Sequence, residues 1–118
     1  MTHKIQIETS LECATRDGTI LRSDVYRPDA PGKFPVILER TPYDKTRESF
    51  QQKGPKLAEQ GFLYVVQDVR GRYSSDGDFM PGFYSSNHRD DVDGYDAVEW
   101  AAALPLSLIH ISEPTRPE

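Results

Sequence analysis

The sequence predicts an α/β fold in which an antiparallel hairpin leads into a mostly parallel sheet. Two short apolar runs, 35–40 (PVILER) and 62–69 (FLYVVQDV), are continuous at their centres, as expected of strands covered on both faces. Each run is followed by residues with helical character, and strands alternating with helices are the pattern of a parallel sheet. Upstream, apolar and polar residues alternate on either side of a turn signal, the period of half-buried hairpin strands.

Taken in order, Ile5, Ile7, Leu11 and Cys13 share one parity and form the first strand. Arg16-Asp17-Gly18 is the turn, with Gly18 able to take a positive φ. Leu21, Ser23 and Val25 share the next strand's face until Pro28, Pro31 and Gly32 break it. PVILER follows, and Thr41-Pro42-Tyr43-Asp44 is a loop because a residue before proline avoids the helical region. A polar helical stretch is expected over about 48–60, with Gly54-Pro55 confining any continuous helix to one side of that pair. Gly61 sits where a helix C-terminal cap is wanted. FLYVVQDV, rich in β-branched and aromatic residues, is the clearest strand, and 70–88 reads as a long loop of the kind that carries function. A helix is expected over 90–103, with Val92, Tyr95, Val98 and Ala102 as its apolar stripe. Asn87 offers its cap, and Asp90, Asp91 and Asp93 place negative charge at its positive end. The element order is β-β-β-α-β-α.

Composition narrows the function. A chain of 118 residues fits one small domain, and 14 Lys plus Arg against 19 Asp plus Glu leave a net charge of −5. Basic residues form no run, so no nucleic-acid partner is expected. No stretch is apolar enough to span a bilayer, and the first residues, MTHKIQIETS, lack the core of a signal peptide. With Cys13 the single cysteine, no disulfide framework forms, and the expected location is the cytoplasm.

The last residues read differently. LSLIHISEPTR, Leu106 to Arg116, matches codon by codon the adapter end of a tagmented sequencing library. Residues 106–118 are therefore expected to be a non-native tail, and 1–105 the protein domain.

Several chemistries are excluded by spacing. No G-x-S-x-G occurs, so the chain holds no nucleophile elbow of its own. His3, His88 and His110 pair with no serine or cysteine in a recognisable pattern. If Gly94 were the sixth position of a calcium loop, Arg89 and Trp100 would occupy its first and twelfth, which no calcium site accepts. Asp90, Asp91 and Asp93 are then ordinary helix N-terminal acids. DVRGRYSSDGD lacks both glycine-rich phosphate-loop spacings. Cys13 reads as a small core residue. Tyr43 stands out, because it follows a buried strand at the carboxyl end, where open α/β sheets bind ligands.

Read together, RDGTILRSDVYRP, FPVILERTPYDK, GFLYVVQDVRGRYSSDGDF and DDVDGYDAVEWAAALP resemble, in that order, the N-terminal part of the X-Pro dipeptidyl-peptidase and cocaine-esterase-like serine hydrolases. The resemblance covers about 11–105 and implies the N-terminal part of an α/β-hydrolase fold, cleaving esters or amides through Ser, Asp and His. It implies no metal or organic cofactor, and a small-molecule or peptide substrate. Tyr43 matches the family tyrosine whose hydroxyl is one oxyanion-hole donor, while Asp68, Arg70, Gly71 and Arg72 match a strand exit that shapes the cleft wall. The triad serine, aspartate and histidine fall on no residue of this chain and are expected downstream of 105. The family strand order 1-2-4-3-5 would place a fifth strand beside the third, leaving Val36, Ile37 and Leu38 on an open edge here. The alternative is a standalone α/β binding module that grips a partner with the loop 70–88.

Overall fold

In the computed structural model, residues 4–77 and 88–107 are described, with the side chains of 88–91 excepted. Strands β1 (Ile5–Ala14) and β2 (Ile20–Pro28) form the expected antiparallel hairpin, turning at Gly18 with φ 88°. Its register slips between Glu8 and Leu11, and Ser10 takes φ 54° at this bulge. Strands β3 (Val36–Thr41) and β4 (Leu63–Asp68) run parallel, and β4 also pairs antiparallel with β2. The sheet order is β1-β2-β4-β3, so β4 is central and all six of its residues are buried.

Helix α1 (Glu48–Glu59) covers one face, packing Ala58, with Phe50 and Leu57 beside it, on Tyr26, Tyr64 and Val66. Helix α2 (His88–Ala102) contributes Trp100 to the other face, where Val25, Leu63 and Val65 form the core with Leu104 and Leu106 around them. The α1 terminus is a Schellman cap: the Phe62 amide donates to Leu57 O at 3.0 Å and the Gly61 amide to Ala58 O at 3.0 Å. Gly61 supplies the φ of 96° this cap requires. Cys13 is fully buried as expected, and desolvation pushes its thiol up to about 11.

Three expectations are corrected. First, α1 runs unbroken through Pro55. Gly54 explains why the helix is held there: a Cβ would come within 2.5 Å of the Tyr26 ring, so the helix lies against the sheet at a point only glycine permits. Packing outweighs the hydrogen bond that Pro55 cannot donate. Second, β3 is not covered on both faces; Val36, Ile37 and Leu38 are only partly buried, because β3 is the edge of the described sheet. That edge is met at its start, where the Phe34 amide donates to Leu106 O at 2.7 Å and Phe34 bridges Ser107 in parallel. Third, Val98 is 54% exposed, and the buried stripe of α2 is Asp93, Ala97, Ala101 and Ala102. Val98 alone marked the wrong face; Ala102 is buried as expected, and Val92 and Tyr95 are partly buried.

Candidate active site

Register places the site. Thr41 pairs with Asp68, so β3 and β4 end side by side, and Tyr43 follows two residues beyond. Tyr43 is 59% exposed at this carboxyl edge, with the Arg47 guanidinium 5.7 Å from its ring centroid. The Thr41 hydroxyl accepts the Tyr43 amide proton at 2.9 Å. Asp44 adopts φ 79°, and its carboxylate accepts both the hydroxyl and the amide of Thr46 at 2.7 and 2.9 Å. Those bonds, the hydroxyl's foremost, hold the Asp44 carboxyl below its usual range. Tyr43 thus sits on a turn fixed from both sides.

Lys45 anchors the far end of that turn. Its side chain is buried, with Nζ 2.8 Å from Asp24 Oδ1 and 3.2 Å from Ser10 Oγ. Asp24 is buried as well and also accepts the Ser10 amide at 2.9 Å. This Ser–Lys contact is no nucleophile–base pair. An ammonium engaged by a carboxylate acts as a donor and has no lone pair for the Ser10 proton.

The residues expected to shape the cleft wall divide by role. Asp68 is fully buried, and its carboxylate accepts the Lys45 amide at 2.7 Å, the Ser74 amide at 3.1 Å and the Ser74 hydroxyl at 2.6 Å. Arg70 turns away from Tyr43's turn and forks onto buried Asp93 at 2.8 and 2.9 Å. It also donates to Thr19 Oγ1 at 2.8 Å and Asp17 Oδ1 at 3.2 Å. The guanidinium's charge is strengthened chiefly by Asp93, and the three-way contact ties β4's exit to α2 and the hairpin turn. Asp93 is therefore a buried ion-pair partner, not a solvated helix acid. Gly71 takes φ 75°, and Arg72 stacks 5.0 Å from the centroid of the exposed Tyr73 ring.

Other candidates are placed as follows. His3 and His110 lie outside the described residues, as do the cap Asn87 and residues 78–87 of the loop 70–88. The His88 side chain and those of Asp90 and Asp91 are likewise undescribed. Among the described residues no group of three His, Cys, Asp or Glu side chains could hold a metal, and no helix is long and apolar enough to cross a membrane. A cavity of about 280 Å³ lies between Leu11, Val25, Leu63 and Leu104. It opens at the amino end of β4, the edge opposite Tyr43.

Sequence reading missed Lys45, Asp24 and Asp93, though a signal existed for one. Lys45 directly follows a proline-stiffened strand exit, where a lysine turned inward needs an acid on a neighbouring strand.

The profile of the X-Pro dipeptidyl-peptidase (S15 family) matches residues 17–112. The chain is 39% identical over 90 residues to a cocaine esterase from Rhodococcus sp. (strain MB1 Bresler), a match covering 72% of this chain and 15% of the esterase. The fold superposes on a CocE/NonD family hydrolase from Staphylococcus aureus with a TM-score of 0.71 at 22% identity, covering 92% of this chain and 25% of that one. An aminopeptidase from a marine sediment Thaumarchaeota archaeon gives a TM-score of 0.71 at 24% identity, over 89% of this chain and 20% of its own. The chain thus spans a small part of the length of the relatives it matches.

Proposed function

Because the chain belongs to the X-Pro dipeptidyl-peptidase (S15) family of α/β-hydrolases, we propose that it is the N-terminal portion of a serine hydrolase cleaving ester or amide bonds. The nucleophile, triad acid and triad histidine fall on no residue of this chain in this reading. Tyr43 supplies one oxyanion-hole donor through its hydroxyl, with the amide after the nucleophile as the other. The observation that carries the proposal is Tyr43's position, exposed on a doubly anchored turn at the carboxyl edge of parallel β3 and β4.

The chemistry follows from charge. Attack on an ester or amide carbonyl places negative charge on its oxygen, and a donor already aimed there stabilises the transition state without reorganising. Half of such a pocket does nothing without a nucleophile, so the polypeptide itself is catalytically silent. Incubated with a nitrophenyl ester, it is expected to release nitrophenol at the buffer rate. Turnover above that rate, abolished by Tyr43→Phe, would overturn the assignment of the nucleophile to a downstream segment.

A further inference from the structure

We propose that Asp68 is a positioning residue for Tyr43, acting through the backbone of the turn and never touching substrate. The inference rests on the reading of Tyr43 as an oxyanion donor and extends it to the group that aims it. Asp68 is the last residue of the central strand and has no solvent exposure. Oδ1 takes the Lys45 amide at 2.7 Å, and Oδ2 takes the Ser74 amide and hydroxyl at 3.1 and 2.6 Å. One carboxylate therefore clamps the exits of two neighbouring strands to each other.

A carboxylate suits that task because it accepts on both oxygens, whereas an amide side chain would turn a donor toward one of the two loops. Donors that serve an ionised acceptor also make the stronger hydrogen bonds. The clamp matters at this turn because Asp44, between Tyr43 and Lys45, holds a φ of 79° that a non-glycine residue adopts only when its surroundings impose it. The Thr41 hydroxyl fixes Tyr43 from within the same loop, so it cannot set the loop's place relative to β4. The Lys45 amide bond to Asp68 does set it. Direct proton transfer by Asp68 is excluded by its burial and by the commitment of both oxygens to the loops.

The test is a double-mutant cycle in the enzyme expressed from the full gene, beside amide exchange in this polypeptide. Asp68→Ala should lower kcat by up to about 10²-fold, the scale of a misplacement near 1 Å, and leave KM within about twofold. In a Tyr43→Phe background the same substitution should lower kcat by less than about twofold further, because the group being aimed is gone. Asp68→Asn, which keeps one acceptor and the side-chain shape, should fall between, and it carries the cycle if the alanine variant does not fold. In this polypeptide, Asp68→Asn should raise exchange at the Tyr43 and Lys45 amides at least about tenfold, with α1 amides unchanged. Losses that add fully to those of Tyr43→Phe, or unchanged exchange at both amides, would overturn the proposal. Failure of the oxyanion reading looks different: Tyr43→Phe alone would leave kcat intact while Asp68→Asn still loosened the turn.

Discussion

Lys45→Met should destabilise the fold by about 3–5 kcal/mol, the range found when one partner of a buried ion pair is removed. The pair is buried on both sides, with side-chain exposures of 4% for Lys45 and 5% for Asp24. Methionine keeps the length and apolar stem of lysine, so packing changes little. What remains is a buried Asp24 carboxylate satisfied at Oδ1 by the Ser10 amide, with its counter-charge gone. Against a total of about 5–15 kcal/mol for a domain of this size, such a loss is severe. Urea unfolding should show it as a midpoint lowered by roughly 2 M, taking a slope of about 2 kcal/mol per molar. The double variant Asp24→Leu/Lys45→Met removes both charges and should recover most of the loss, because the attraction of a buried pair barely exceeds its desolvation cost. Equal midpoints for the single and double variants would show that the unpaired Asp24 charge is not the source of the loss.

The second large effect is on catalysis. In the enzyme expressed from the full gene, Tyr43→Phe should lower kcat by about 10²–10³-fold, equivalent to about 2.7–4 kcal/mol of barrier. KM should change little, because the hydroxyl meets charge that develops only in the transition state. The geometry supports so large a value only if the turn is fixed before substrate arrives. The Thr41 hydroxyl, the Asp44 side chain and the Asp68–Lys45 bond together provide that fixing. Stopped-flow or steady-state kinetics on an activated ester check it. A kcat reduced less than about threefold would remove Tyr43 from the oxyanion site.

Much of the architecture could be read from residues. The hairpin turn at Gly18, central β4 and the cap at Gly61 all rest on local physics: alternation, a continuous β-branched run and a glycine where φ must be positive. Errors arose where a distant contact outweighs a local preference. Pro55 breaks helices in isolation, yet α1 continues through it because Gly54 lets the helix lie on the Tyr26 ring from β2. Val98 looked like core by size, yet Ala97 and Ala101 face inward because closeness to the sheet favours small residues. At the site, the role proposed for Tyr43 comes from the family resemblance, while its place just beyond a strand end was legible. Its supports were not: Asp24 and Lys45 are far apart in sequence, and nothing local announces that the two charges meet. Asp93 was hidden for the same reason, since an acid in a helix's first turns is ordinary until an arginine from β4's exit reaches it.

The most direct measurement is an independent read of the source DNA across codon 105. A serine hydrolase severed before its nucleophile predicts that LSLIHISEPTR vanishes from that read, replaced by a short strand and then G-x-S-x-G within about 20 residues. An uninterrupted frame through the same thirteen codons to a stop, with no elbow, would contradict it.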